Sequence, residues 1–259
     1  MKKRRKSSVI SRVVFRIFKF FARLFYKKTE IIGLDKAHTN DVIFVANHAQ
    51  LNGPIIGELF MPENCYIWAN GQMVRAREVP KYAMEDFFPY KRGLTRPFYK
   101  LASYLLAPLL PCIINNARAI PVFRDARIVS TLKNTVRHLS EGNTILIFPE
   151  CHEKRNNIVN EFQKNFVEVA RLYHRRFKRT ISFVPMYIAP DLGKVYVGEG
   201  ISFDPLSDPS CEKERIVNYL MSSITAMGRS LPEHTVVPFD NISRKQYITN
   251  KNVDALPES

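Results

Sequence analysis

Short apolar runs of the kind that form buried strands alternate along this chain with segments of helical periodicity. Strands are predicted at residues 42–46, 66–69, 119–122, 144–148, 181–189 and 194–197. Helices are predicted at 53–59 and 126–140, around 162–173 and around 216–227. Strands that alternate with helices predict an α/β layered domain, with a mixed central sheet flanked by helices. The chain of 259 residues is long enough for one large domain, which we place at residues 29–259.

The net charge of +15 is concentrated at the amino terminus. Residues 1–28 contain 11 of the 39 lysines and arginines and no acidic residue, which leaves 28 basic and 24 acidic residues in the rest. A nucleic-acid-binding protein is expected to spread its basic residues over a folded face. The charge distribution therefore favours an anionic membrane lipid surface as a partner and argues against nucleic acid.

The spacing of basic residues in this segment is that of an amphipathic helix. Arg12, Arg16, Lys19 and Arg23 fall on one stripe of such a helix. The rest of its surface is covered by Val9, Val13, Val14, Ile17, Phe18, Phe20, Phe21, Leu24 and Phe25. The charges interrupt any signal-peptide core or ordinary membrane-spanning helix. We therefore predict that residues 1–28 form a basic membrane-anchoring helix in the headgroup plane, the alternative being a helix that packs on its own domain.

Two further features bear on the location of the protein. Residues 101–114 form a second apolar run, interrupted by Pro108 and Pro111, that is too short to span a bilayer. Both a buried helix and a second membrane-touching patch fit this run. The four cysteines lack the spacing of a metal site or a disulfide framework, and free thiols are typical of a reducing cytoplasm. The predicted location is the cytoplasmic face of the membrane, as a peripheral or monotopic protein.

Three polar residues follow directly on predicted strands: His48, Arg124 and Glu150. Open α/β sheets place their sites at the carboxyl ends of strands, so we expect these side chains to converge. A histidine can act as a general base at neutral pH, and an arginine suits bidentate contact with phosphate. Each residue alone also has an ordinary structural interpretation, namely a structural hydrogen bond, a surface salt bridge or a helix cap.

Taken in order, four short blocks resemble the lysophosphatidic acid acyltransferase family and its glycerol-3-phosphate relatives. The family pattern runs NHxSxxD, a GxIxVxR-like block, FPEGTRS and a VPV-type strand. The matching residues are Asn47-His48, then Ile120, Val122 and Arg124, then Phe148-Pro149-Glu150, and last Val184-Pro185. The resemblance extends over residues 30–205 of this chain.

The resemblance implies transfer of a fatty acyl group from acyl-CoA or acyl carrier protein to an acceptor hydroxyl, on a glycerolphosphate or a (lyso)phospholipid. His48 would accept the hydroxyl proton as general base, with Asn52 or Glu150 as its candidate partner. The residues implied in substrate binding are Asn47, Gly53, Arg124, Phe148, Pro149, Lys154 and Arg155. No metal or cofactor is implied, because the thioester is itself a substrate. The function would belong to phospholipid biosynthesis.

The chain departs from the family pattern within the site. Gly53 stands where the family has an aspartate that orients the histidine, and a one-residue gap would place Asn52 there instead. In the third block Cys151 replaces a glycine and Glu153 an arginine, although Lys154-Arg155 follow directly.

These departures leave more than one function open. The first is an active acyltransferase with an unusual acceptor or a reorganised histidine partner, and the second is a catalytically silent relative that binds lipid or acyl carrier. A third is a basic peripheral membrane protein whose motif matches are accidental. A thiol hydrolase that uses Cys151 and His152 is disfavoured, because adjacent residues on an extended chain point apart.

Overall fold

A computed structural model describes residues 9–36, 41–88, 93–123 and 125–252. Its α-helices are α1 (Val9–Phe25), α2 (Asn52–Phe60), α3 (Val79–Tyr82), α4 (Arg96–Asn116), α5 (Ile128–Ser140), α6 (Glu168–Phe177) and α7 (Pro209–Ser230). Its strands are β1 (Glu30–Ile32), β2 (Val42–Ala46), β3 (Cys65–Asn70), β4 (Ala119–Val122), β5 (Thr144–Ile147), β6 (Glu150–Lys154), β7 (Asn160–Phe162), β8 (Ser182–Ala189), β9 (Lys194–Val197), β10 (Ile201–Ser202), β11 (Thr235–Val236) and β12 (Ile248–Thr249).

The strand predictions are confirmed to within about one residue at each end, whereas the predicted start of one helix is wrong. The helix expected around 162–173 begins only at Glu168, and Phe162 ends β7. The helical spacing of Phe162 and Phe166 arises because both side chains enter the core, one from a strand and one from a 3₁₀ turn. Periodicity alone cannot distinguish these two cases from one helix face.

The described chain divides into two compact units. The smaller unit contains α1 and Trp68–Thr131, and the larger contains Thr29–Ile67 and the chain from Leu132 onward. The division falls within β3, whose last three residues belong to the smaller unit together with β4. The expectation of a single domain over residues 29–259 stays a prediction.

The larger unit is built on a mixed sheet in the order β1-β9-β8-β2-β5-β3. Strand β2 lies in its middle and pairs in parallel with both β8 and β5, whereas β9 and β10 are antiparallel to β8. Every residue of β2 and β8 is buried, as expected for strands covered on both faces. The predicted α/β class with a mixed sheet is therefore confirmed.

Helices α2 and α7 cover parts of this sheet. α7 packs on β8, and Asp208 caps its first turn by accepting hydrogen bonds from the backbone N–H groups of Ser210 and Cys211. In α2, a Cβ atom added to Gly57 would lie 2.8 Å from side-chain carbons of Ile67 and Leu146. The small residue therefore lets α2 lie close against β3 and β5, directly after the turn that contains His48.

In the smaller unit, the helix that contains the second apolar run is longer than the run itself. Residues 101–114 lie inside α4, which continues through Pro108 and Pro111 and gains its extra length from Arg96 to Lys100. Of the helices that the structure describes, this 21-residue helix is the one that is long and apolar enough to cross a membrane, by length and composition only. Ser103 is its one buried residue, and Phe98, Leu101, Tyr104 and Leu105 are among its exposed side chains.

Helix α1 packs on α4 through a small part of its surface, and its large apolar side chains are exposed. Asn116 of α4 donates a hydrogen bond of 2.6 Å to the Ser11 hydroxyl. No residue of α1 is buried, and its exposed apolar residues are Val9, Ile10, Val13, Val14, Ile17, Phe18, Phe20, Phe21, Leu24 and Phe25. The apolar face predicted from the sequence is therefore present, and within the described residues it is uncovered.

Candidate active site

A strained turn presents His48 at the carboxyl end of β2. The two residues after it, Ala49 and Gln50, have φ values of 47° and 54°, in the left-handed region that non-glycine residues rarely occupy. A hydrogen bond from the Gly53 N–H to the His48 carbonyl (3.1 Å) closes the turn at the start of α2. Such conformations cost on the order of 1–3 kcal/mol each and persist only where surrounding contacts hold them.

Asn47 uses its side chain to fasten the end of β2 to β8. Its amide nitrogen donates to the Ile188 carbonyl (3.1 Å), and its amide oxygen accepts from the Ile188 N–H (2.7 Å). The side chain is buried, with 2% exposure. These contacts position the residue that precedes His48, and the role of Asn47 in substrate binding stays a prediction.

Glu150 reaches the His48 turn from the first residue of β6. One carboxylate oxygen accepts from the His48 backbone N–H and the other from the Asn160 N–H (2.9 Å). Burial raises the pKa of Glu150 to about 7. The two backbone hydrogen bonds favour the charged form and lower this pKa, whereas the negative charge of Asp240 raises it by a smaller amount. His48 and Glu150 therefore converge as expected, but these bonds tie Glu150 to the backbone of His48.

Gly53, where the family has its aspartate, has no room for a side chain. An added Cβ would lie 2.5 Å from the His48 carbonyl oxygen and 2.8 Å from the Phe148 ring. That ring in turn packs edge-on against the His48 imidazole, with 5.1 Å between ring centroids. A carboxylate at position 53 is therefore incompatible with this turn.

The remaining predicted residues have varied surroundings. Asn52 donates from its amide to the Ala49 carbonyl (2.9 Å), which braces the turn. Pro149 is buried, and its carbonyl accepts from the Gln163 N–H (2.9 Å). Lys154 is exposed at the end of β6, whereas Arg155 pairs with Glu161 at 3.3 Å. Arg124 lies outside the described residues.

The site also contains a segment that none of the sequence motifs includes. We call residues 234–250, which run from just before β11 through β12, the C-terminal strap. The Phe239 ring of the strap contacts the His48 ring, at 5.7 Å between centroids, and the His152 ring, at 5.2 Å. Gln50 donates to the Asp240 carbonyl (2.9 Å) and accepts from the Tyr247 hydroxyl (2.8 Å).

A cavity of about 290 Å³ lies between the β6–β7 hairpin and the C-terminal strap, within the larger unit. Glu150, His152 and Lys154 line it from the hairpin, and Phe239 and Asp240 line it from the strap. Its volume is close to the lower end of the range for small-molecule pockets. Among the residues that the structure describes, no cluster of His, Cys, Asp and Glu has the composition of a metal site.

The fold and this site define an α/β protein with a histidine presented at the carboxyl edge of a mixed sheet. A family model described as Acyltransferase matches residues 28–189, and the chain therefore belongs to the acyltransferase family. The match contains the His48 turn and the Glu150 hairpin but ends before the C-terminal strap. The protein is an acyltransferase, as the four sequence blocks predicted.

Comparison with solved structures gives a second likeness. The crystal structure of the 1-acyl-sn-glycerophosphate (LPA) acyltransferase PlsC from Thermotoga maritima matches with 15% sequence identity and a TM-score of 0.45. That match covers 88% of this chain and 83% of the PlsC chain. No curated protein matches this sequence.

The geometry at Gly53 predicts that restoring the family aspartate will not restore a better enzyme. Because the new Cβ would meet the His48 carbonyl, Gly53→Asp should lower the free energy of unfolding by about 1–3 kcal/mol. It should also lower thioester turnover by shifting the His48 turn. Urea denaturation and a thioester-consumption assay measure the two effects.

Leu51→Asp is the matched control, because it adds a charge close to the turn without adding a Cβ atom, at a side chain that is 53% exposed. We expect it to remain closer to wild type in both measurements. Higher turnover of Gly53→Asp at unchanged stability would contradict the steric argument.

The raised pKa of Glu150 predicts a specific dependence of stability on pH. The pKa of Glu150 is about 7 in the folded protein and near the ordinary glutamate value of 4.5 in the unfolded chain, so the folded state binds the extra proton between these two pH values. The contribution of Glu150 to stability is therefore fully present below about pH 4.5 and is lost as pH rises to about 7. Glu150→Gln removes the titration, so its stability relative to wild type should rise across this window, as measured by urea unfolding at several pH values.

Glu161→Gln, at a half-exposed carboxylate of the same hairpin, is the control and should show no such trend. Parallel pH profiles for wild type and Glu150→Gln would show that Glu150 titrates normally.

Proposed function

We propose that this acyltransferase moves a fatty acyl group from acyl-CoA or acyl carrier protein to the hydroxyl of a glycerolphosphate or (lyso)phospholipid acceptor at a membrane surface. The observation that supports this most directly is the family match, which contains His48 at the carboxyl end of the central strand β2. PlsC, whose fold this chain resembles in outline, acts on 1-acyl-sn-glycerophosphate. The reaction requires no cofactor, because the thioester is a substrate.

In the proposed reaction His48 is the general base. Its imidazole accepts the proton of the acceptor hydroxyl while the hydroxyl oxygen attacks the thioester carbonyl carbon. General-base assistance of this kind contributes about 10²–10⁴-fold to the rate. Asn47 and Glu150 support the reaction by holding the backbone on which His48 is carried, through their bonds to Ile188 and to the His48 N–H. Arg124, Lys154 and Arg155 are the proposed contacts for the phosphate of the acceptor.

The composition and exposure of the smaller unit support the proposed membrane association. Helix α1 exposes large apolar residues beside the cations Arg12, Arg16, Lys19 and Arg23, and α4, on which it packs, exposes apolar residues as well. A helix with this pattern binds the headgroup region through apolar burial and attraction to anionic lipid. The proposed location is the cytoplasmic face of the membrane.

A catalytically silent lipid-binding protein is the second candidate, and the observation in its favour is Gly53. The family aspartate is absent there, and the turn cannot accommodate it. This candidate and the first differ in whether the protein consumes thioester.

The central test of the proposed function is His48→Ala. We expect wild-type protein to release free thiol from palmitoyl-CoA when lysophosphatidic acid or lysophosphatidylglycerol is added, and His48→Ala to lose at least about 100-fold in kcat. Thiol release is followed with a colorimetric thiol reagent and acyl transfer by lipid mass spectrometry. His174→Gln, on α6, is the control and should behave as wild type.

Absence of thioester consumption by wild-type protein with every acceptor would favour the silent candidate. Equal activity of wild type and His48→Ala would remove His48 from the reaction.

The membrane proposal predicts that single apolar residues of α1 contribute to vesicle binding. Leu24→Ser should reduce co-sedimentation with vesicles of anionic phospholipid, because burial of a leucine side chain stabilises the bound state by about 1.5–3 kcal/mol. Leu206→Ser is the matched control, since Leu206 is 94% exposed but lies in the larger unit. Equal loss of binding in both variants would place the contact surface elsewhere.

A further inference from the structure

The cavity contains an imidazole–carboxylate pair that none of the four sequence blocks includes. His152 of β6 and Asp240 of the C-terminal strap lie with 2.7 Å between the histidine Nδ1 and the carboxylate Oδ1. A carboxylate accepts, so Nδ1 carries the hydrogen, and Nε2 is the nitrogen that remains for proton exchange. A carboxylate on Nδ1 fixes the tautomer and stabilises the imidazolium, which is the arrangement found in acid–base catalytic pairs.

The position of Asp240 is set by the same turn that presents His48. Gln50, two residues after His48, donates to the Asp240 backbone carbonyl (2.9 Å) and accepts from Tyr247 farther along the strap. The strap is also fastened at its beginning, where buried His234 lies 2.8 Å from the Tyr187 hydroxyl of β8. The carboxylate therefore sits on a segment that is bonded to the sheet and to the active-site turn.

His152 and His48 contact the same aromatic ring. Both imidazoles contact Phe239 edge-on, and both His152 and Asp240 line the cavity beside Glu150. An ordinary surface pair contributes little to stability and gives no reason for its partners to converge on the site. The contact of both histidines with Phe239, and the place of His152 and Asp240 beside Glu150 in the cavity, put this pair next to the His48 turn.

We propose that His152, oriented by Asp240, is a second catalytic histidine that protonates the leaving thiolate of the acyl donor. The inference rests on the proposed function. After the acceptor oxygen forms its bond to the carbonyl carbon, the C–S bond breaks and its electron pair leaves on sulfur. The proton on His152 Nε2 passes to that sulfur, while the hydroxyl proton has gone to His48.

Solvent restores both histidines for the next turnover. His48 releases the proton that it took from the hydroxyl, and His152 takes one up. The His152 side chain is 78% exposed, which permits direct exchange with water. Asp240 accepts a hydrogen bond from the Nδ1 of His152, and it is a positioning residue because it acts through His152.

The proposed roles of the two histidines also agree with the lack of space for a side chain at Gly53. In the family the aspartate supplies the negative charge that stabilises an imidazolium during the reaction. Here that position has no space for a carboxylate, whereas a carboxylate of the C-terminal strap meets the His152 imidazole.

The test uses the acidity of the leaving thiol. Full-length wild type, His152→Gln, Asp240→Asn and His48→Ala are assayed with palmitoyl-CoA and with the palmitoyl thioester of thionitrobenzoate, using lysophosphatidic acid or lysophosphatidylglycerol as acceptor. Coenzyme A releases an alkyl thiolate of high basicity, similar to that of a cysteine with a pKa of about 8.5, whereas the aryl thiolate leaves without a proton.

We expect His152→Gln to lower kcat/KM with palmitoyl-CoA by about 100-fold and to leave the rate with the aryl thioester close to that of wild type. Asp240→Asn should show the same donor dependence to a smaller degree, and the double variant should be no slower than His152→Gln, since the two residues act as one unit. His48→Ala should lose activity with both donors. His174→Gln should resemble wild type with both.

Equal losses of His152→Gln on the two donors, or no loss on either, would overturn the proposal. Urea unfolding of each variant shows whether it is folded, and Asp240→Asn provides the same donor comparison if His152→Gln does not fold. If wild-type protein turns over neither thioester with either acceptor, the proposed function itself has failed, which is a distinguishable result.

Discussion

The buried carboxylate of Glu150 joins the two segments from which the site is built. It accepts one hydrogen bond from the His48 N–H and another from the Asn160 N–H, and so connects the turn after β2 to the β6–β7 hairpin. A buried carboxyl group carries a large desolvation penalty, visible in its raised pKa of about 7. Its two backbone donors compensate part of that penalty, and removal of either contact would leave a buried polar group without its partner.

The shape of the His48 turn follows from this connection and from its neighbours. Ala49 and Gln50 occupy left-handed conformations that are unfavourable for residues with a side chain. Asn47 holds the turn on one side through Ile188, and Gln50 holds it on the other through the C-terminal strap. The same tightness brings the His48 carbonyl so near to Gly53 that a side chain cannot be placed there. Loss of the family aspartate and closure of the turn are thus two aspects of one local geometry.

The family match covers only part of the residues that form the candidate site. The family match ends at residue 189, and the strap that carries Phe239 and Asp240 begins more than forty residues later. A relative that shares the four blocks can therefore differ in the groups that surround its histidine. In this protein, residues of the β6–β7 hairpin and of the C-terminal strap line one cavity next to the Glu150 carboxylate.

The sequence by itself determined the class of the fold, six of the twelve strands that the structure describes and the identity of the blocks at the strand ends. A short apolar run between turns, such as Val42–Ala46, predicts a buried strand, and this strand is buried throughout. The sequence also determined the apolar and basic surface of α1, because a 3.6-residue period is local information. The apolar run at residues 101–114 did not delimit α4, because the helix begins earlier, at Arg96, and ends later, at Asn116.

Only the tertiary structure decided which atoms meet. The order of the motifs predicted that His48 and Glu150 lie close together. It could not show that the Glu150 carboxylate accepts a hydrogen bond from the backbone N–H of His48, because this contact depends on the register of β2 against β5. The closed space at Gly53 depends on the Phe148 ring from another strand end. The pairing of His152 with Asp240 joins residues 88 positions apart, with no pattern in the sequence between them. Long-range contacts of this kind are set by how the chain packs, and local periodicity carries no information about them.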